Sequence, residues 1–220
     1  ATLVLGIAAL GGYVVHARRH SAPLLDLGLL RLVTYRTGIA GGALFRIGIG
    51  ATPFLLPLML QVGFGLSPVE SGLLTFVSSI GAIFMKTLAA RVLKRFGFRR
   101  VLIWNGLAAS ALLGGFGLFR PETPHVFVIA TLLVSGCFRS LQFTSLNAIS
   151  YAEVDSRRMG HASSLAGMMQ QLALSMGIAI GGYLLEWLGL AFDRPATDVR
   201  NFYLAFAGVA LISASSAWWM

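Results

Sequence analysis

Charge is scarce in this 220-residue sequence: Asp, Glu, Lys and Arg make up 11% of it, against about 25% in soluble domains. With 56% apolar residues and a mean hydropathy of +0.79, there is too little polar surface to coat a water-facing globule. Cysteine is nearly absent. The single Cys137 excludes an internal disulfide and leaves the redox compartment unmarked. Catalytic signatures are missing too. There is no His-x-x-x-His, no Gly-x-Ser-x-Gly and no aspartate pair inside an apolar run, and His16, His20, His125 and His161 do not cluster. An enzyme reading fails on these grounds. The last apolar run lacks the lysine a retinal protein needs. Residues 1–17 have no initiator Met and no basic n-region, so they are not a signal peptide. They read as a helix entered part-way, which creates the expectation of a longer protein.

What is present is seven apolar runs: 1–17, 37–63, 70–91, 100–119, 125–152, 161–190 and 199–220. About 20 residues of helix cross the hydrocarbon core. The runs are too long for barrel strands and do not alternate, so the fold class is an all-α integral membrane protein of about seven transmembrane helices.

The net charge of +9 comes in short clusters between the runs, which fits topology signals and not a nucleic-acid face. Eleven cations fall in alternate loops: Arg18, Arg19, Arg31 and Arg36, then Arg91, Lys94, Arg95, Arg99 and Arg100, then Arg157 and Arg158. The opposite loops hold Arg120, Arg194 and Arg200. Lys and Arg stay on the cytoplasmic side. The expected sidedness has the N-terminus of the chain outside and its C-terminus cytoplasmic, in the cell (plasma or inner) membrane. Residues 23–32 are amphipathic and read as a short interfacial helix. The domain expectation is 1–36 as a linker span with this cytoplasmic loop, and 37–220 as a six-helix unit.

Pro53 and Pro57, with Gly48 and Gly50 just before them, predict a break in the second run. Small residues at four-residue spacing, such as Gly177 and Gly181, predict close helix packing. A short repeat is visible: Phe45-Arg46 and Phe138-Arg139 stand 93 residues apart, and Ser79-Ile80-Gly81 resembles Ser175-Met176-Gly177. It implies that three helices recur as the next three. Three is odd, so the second unit enters from the opposite side, giving an inverted 3+3 repeat.

Three cations lie inside runs: Arg46, Lys86 and Arg139. A buried charge in a span costs several kcal/mol (about 2.5–3.5 on insertion scales) and faces a bundle interior or a wet cavity. Lys86 can snorkel to the interface; Arg139 is too deep for that. No carboxylate lies mid-span, so Arg139 and Arg46 either bind an anionic ligand group or pair with acids outside this sequence. Polar stripes support a cavity: Ser71, Thr75, Ser79 and Lys86; Ser135, Arg139 and Gln142, with Asn147 one side over; and Ser164, Met168, Gln171 and Ser175. Met168 and Met169 suit an adaptable apolar wall. The same hydroxyls and amides can instead tie helices together.

Residues 91–102, Arg-Val-Leu-Lys-Arg-Phe-Gly-Phe-Arg-Arg-Val-Leu, resemble the Asp-Arg-x-Gly-Arg-Arg loop of the major facilitator superfamily, with Lys94 at the family's acidic position. Residues 44–66 resemble the first helix of the second half in its fourteen-helix drug:proton antiporter branch. Residues 139–153, with Ala162-Ser163-Ser164-Leu165 and Gln170-Gln171, resemble the later helices. The resemblance implies one linker span plus a six-helix C-terminal bundle, and proton-driven export of small molecules by alternating access. It implies no cofactor, the proton gradient being the energy source. Arg46, Arg139, Gln142, Asn147, Gln170 and Gln171 would line the substrate cavity, and Lys94, Arg95, Gly97, Arg99 and Arg100 would form a cytoplasmic gate hairpin. The implied partners are the lipid bilayer, an N-terminal half of the same protein and a small-molecule substrate, with no nucleic acid. A receptor or scaffold module sharing the fold, and a half-size transporter acting as a dimer, are the alternatives.

Overall fold

A computed structural model of the chain describes residues 26–220, together with Gly11 and Gly12. The expected first span at 1–17 therefore lies outside the described residues, apart from those two glycines. Among the described residues there is no strand, and six helical stretches are long and apolar enough to cross a membrane. We label them α1 (Val33–Gly63), α2 (Pro68–Phe96), α3 (Phe98–Leu118), α4 (His125–Ser150), α5 (Ser156–Ala191) and α6 (Val199–Trp219).

Local chemistry sets the ends and breaks. Ser67 and Glu70 form a reciprocal capping box at the start of α2: the Glu70 N–H donates to Ser67 Oγ at 3.3 Å and the Ser67 N–H to Glu70 Oε2 at 2.9 Å. Pro68 fills the first turn, where no N–H is needed. α2 stops at Gly97, whose φ of 76° and ψ of 156° suit a residue without Cβ. The break expected in α1 is present. Helix runs through Val33–Gly50, resumes over Thr52–Leu58 with Pro53 in its first turn, and ends in a π turn at Met59–Gly63. Before α1, Leu27–Arg31 forms a 3-10 turn capped by Asp26. This is the described part of the expected interfacial helix.

Helix pairing shows the repeat. α2 lies chiefly on α4 and α5 chiefly on α1; α3 lies on α6; α1 also touches α4 and α6, and α4 touches α3. Exchanging α1 with α4, α2 with α5 and α3 with α6 maps these main pairings onto themselves, although α5 also packs on α6 and α2 only lightly on α3. The two main crossings share their chemistry. Gly81 of α2 meets the Leu133 carbonyl while Gly136 of α4 meets the Ser78 carbonyl. Gly177 of α5 meets the Ile47 carbonyl while Gly50 of α1 meets that of Leu174. Gly81 thus corresponds to Gly177, as the Ser79-Ile80-Gly81 match reads, while Gly136 corresponds to Gly50, an offset of 86 and not the 93 read from the Phe-Arg pairs. The seven-residue difference is two helical turns. Close backbone approach, not the dipeptide, sets the register. Side chains reinforce the α2–α4 crossing: the Cys137 thiol donates to the Gly81 carbonyl at 3.2 Å and the Ser140 hydroxyl to that of Ala82 at 2.8 Å.

The main apolar core runs through Phe45, Leu55, Leu113, Leu132, Leu146, Phe202 and Phe206, all fully buried. Outside it the spans present apolar side chains outward, such as Leu73, Ile83 and Leu211, as a lipid-facing bundle requires. Trp104, Trp218 and Trp219 stand exposed toward one end and Tyr183, Trp187 and Tyr203 toward the other, as an aromatic belt does. The first of these ends also gathers Arg31, Arg36, Arg91, Lys94, Arg95, Arg99, Arg100, Arg157 and Arg158, and is called the basic end below.

Candidate functional site

The site lies along one face of α4. Ser135, Arg139, Phe143 and Asn147 recur every four residues and so form a stripe about 18 Å long. Two polar clusters sit along it.

Nearer the basic end, the Arg46 guanidinium projects from α1. It is 4% exposed. Its Nη2–H donates to Asn147 Oδ1 at 3.1 Å, and its Cζ lies 5.4 Å from the centre of the Phe143 ring. The ring is held edge-on against Phe45, 5.9 Å away. Gly42 makes room for the cation, since a side chain there would strike Arg46 Nη1. Arg46 Nε has no partner. A cation–π contact and one hydrogen bond to an amide oxygen thus stand where a carboxylate is missing.

About 12 Å further along α4, Arg139 borders a small pit with Ile49, Thr52 and Leu56 of α1, Ser78 of α2, Phe116 of α3, and Leu132 and Ser135 of α4. Its volume is about 10 Å³, near the space one water needs. Arg139 is half-buried and has no hydrogen-bond or ionic partner among the described residues. Thr52 Oγ1 is also buried and unpartnered. Thr52 opens the second segment of the broken helix, so the break places this hydroxyl at the pit. Sequence reasoning missed Thr52 and Phe143. The Thr-Pro pair at a helix break was the available signal for the first, and the four-residue stripe with Arg139 for the second.

The other sequence candidates separate. Gln142 is fully buried between α3 and α4 and turned from the stripe: Asn105 Nδ2 donates to its Oε1 at 2.8 Å, and its own Nε2 donates to the Leu102 carbonyl at 2.9 Å. Met168 packs on a second core with Tyr35, Ile39 and Leu165. Gln170 is half-buried and Gln171 exposed on α5, and neither makes a hydrogen bond among the described residues. Asn147 is exposed on the bundle surface apart from its bond to Arg46. Lys94, Arg95, Gly97, Arg99 and Arg100 form an exposed hairpin at the basic end, and Arg95 Cζ stacks 5.6 Å from the Phe96 ring.

The one ion pair among the described residues, apart from any contact of His161, ties the segment before α1 to the start of α5. Arg158 Nη2 and Nε donate to Asp26 Oδ2 at 2.6 and 3.0 Å. Partial burial pushes the Asp26 carboxyl up, but the Arg158 guanidinium and the Gly28 N–H outweigh it and hold it below the usual carboxylate range. A depressed carboxyl stabilises the fold above its unfolded value and loses that effect as pH falls through the folded value. At neutral pH the pair is fully formed, and acid below about pH 4 weakens it. Both groups are about a third exposed, so Arg158→Ala should cost at most about 1 kcal/mol at neutral pH and still less in strong acid. Denaturation of the purified full-length protein at pH 7 and pH 3 measures this.

Six spans in two related triplets, with the unpartnered Arg139 on the inner face of one span, fit the plan of a membrane-transport bundle. The comparison with known proteins makes this specific. Residues 38–220 match the Major Facilitator Superfamily, and the chain belongs to that family. Its similar relatives include "Putative multidrug resistance protein MdtD" of Serratia proteamaculans, 35% identical over 93% of this chain and 42% of the relative. The proteins of the same name from Klebsiella pneumoniae and Escherichia coli are each 33% identical, over 96% and 98% of this chain and 45% and 46% of the relative. The chain therefore spans about half the length of the curated relatives it matches.

Proposed function

We propose that these residues are the C-terminal half of a proton-coupled exporter of small molecules, in the fourteen-helix drug:proton antiporter branch, working by alternating access with a preceding half. In this reading residues 1–36 are a linker span and cytoplasmic loop, and 37–220 are the six-helix half. The basic end faces the cytoplasm, since cations are retained there, and the membrane is the cell membrane. The half-buried Arg139, with no partner and with Thr52 beside it, carries the proposal. Such a cation persists in a span only where it meets water, a ligand or an acid across a cavity. Arg46, Asn147, Gln170 and Gln171 extend that wall toward the cytoplasm, while Gln142 and Met168 act behind it by holding α4 and α5 in place. The hairpin Lys94–Arg100 is the gate element. Similarity to multidrug resistance proteins over nearly the whole chain supports export as the direction.

Everted membrane vesicles containing the full-length protein test this, with ethidium as probe. An acid-inside pH gradient should drive ethidium accumulation, and a protonophore should abolish it. Accumulation that ignores the protonophore, or none above protein-free vesicles, contradicts the reading.

A further inference from the structure

A groove of about 440 Å³ opens between α2, α3 and α4 at the basic end, away from the Arg139 stripe. Its walls are apolar: Phe96, Val101, Trp104, Ala108, Phe138 and Leu141. Phe96 and Trp104 are 52% and 71% exposed, so the groove is open on the surface of these spans. The π turn Val101–Asn105 of α3 forms part of its wall. Arg100 also lines it. Arg100 and Ala108 are eight residues apart on α3, so the groove runs about 12 Å below the cation. Beside Arg100 stand Lys94, Arg95 and Arg99, none of them in an ion pair among the described residues.

An apolar trough capped at the membrane interface by an uncompensated guanidinium matches one ligand chemistry. We propose that the groove binds an acidic phospholipid, with an acyl chain along Trp104, Ala108 and Leu141 and the phosphate paired with Arg100. Arg presents a planar fork to phosphate oxygens, and clustered cations on this side of a span attract anionic headgroups. The 440 Å³ volume is within the range of specific ligand sites. The proposal rests on the membrane-spanning fold and the hairpin and makes no use of transport, so lipid binding and efflux are read separately.

Native mass spectrometry of the full-length protein, titrated with phosphatidylglycerol or phosphatidylcholine, tests it. A single phosphatidylglycerol adduct is expected, with phosphatidylcholine bound more weakly. Arg100→Gln should weaken the adduct by about fivefold. Ala108→Phe keeps every charge but fills the trough, and should remove the adduct. Arg120→Gln at the opposite end should leave it unchanged, and retained thermal stability in each variant shows that folding is intact. Glycerol 3-phosphate, which has the headgroup charge without chains, should not compete. Equal adducts in Ala108→Phe, equal retention of phosphatidylcholine, or displacement by glycerol 3-phosphate overturns the proposal. So does the absence of any adduct.

Discussion

Gly136→Ala in the full-length protein is expected to destabilise it severely, by more than about 3 kcal/mol, through the position of a single methyl group. A Cβ at Gly136 would overlap the Ser78 carbonyl carbon and oxygen across the α2–α4 crossing. The obstacle is backbone, not the movable end of a side chain, so the helices must separate. Separation breaks the Cys137 and Ser140 bonds to α2 and opens the core over several turns. Overpacking of a tight core costs about 1–3 kcal/mol even where side chains can yield, and lost interhelical hydrogen bonds add about 0.6 kcal/mol each. The symmetry of the bundle makes a matching demand at Gly177, where an added Cβ meets the Ile47 carbonyl and the Gly50 backbone. Gly167 on the same helix as Gly177 has nothing within 4 Å of an added Cβ. Gly167→Ala should be neutral or stabilise by up to about 1 kcal/mol. Thermal midpoints of the three purified variants check the contrast. Similar midpoints for Gly136→Ala and Gly167→Ala would refute the crossing geometry.

Arg139→Ala should lose transport by about tenfold or more while leaving expression and folding intact. The guanidinium has no partner within these residues, so its removal breaks no internal bond. On the proposed reading it removes a charged contact to ligand or to an acid across the cavity, worth about 1.5–3 kcal/mol. Arg139→Lys keeps the charge without the fork and should retain part of the activity. Thr52→Val separates site from scaffold. It replaces a buried, unpartnered hydroxyl with a methyl of similar shape, so stability should hold or rise slightly, while transport falls. Arg46→Ala differs in kind, because it also breaks the bond to Asn147 and the stacking on Phe143. It should lower both stability and transport. Dye efflux in cells, normalised to membrane-inserted protein, measures all four. Full efflux in Arg139→Ala would remove the cation from the site.

The spans were legible because crossing a bilayer imposes a length and a composition that few other structures share. Pro53 and Pro57 likewise announced the break in α1, since a proline cannot donate to the preceding turn. The correspondence of α1 with α4 and of α2 with α5 was legible from a short repeat, and Ser79-Ile80-Gly81 against Ser175-Met176-Gly177 also carried the α2–α5 register, but the Phe-Arg pair missed the α1–α4 register. Phe-Arg is two letters long, whereas the crossings are fixed by Gly50, Gly81, Gly136 and Gly177, whose part lies in having no side chain. Gln142 shows another limit. A polar residue on a hydrophobic helix reads the same whether it lines a cavity or holds a neighbouring helix, and only the positions of Asn105 and Leu102 show the second. Thr52 was hidden because threonine in a span bonds its own helix in most settings, and its isolation depends on where the break aims it.

On the proposed reading the Arg139 stripe borders water rather than lipid. Single cysteines at Asn147 and Gln171, in a cysteine-free full-length protein with Cys137→Ala, test it most directly, with Leu211→Cys on the outward face of α6 as the lipid control. A membrane-impermeant maleimide is applied to right-side-out and to everted vesicles. Both site cysteines should react, faster from the cytoplasmic side and more slowly when substrate is present, while Leu211→Cys stays unlabelled. Asn147→Cys and Gln171→Cys that resist labelling as Leu211→Cys does would place the stripe's Asn147 and the α5 position in lipid and contradict the proposal.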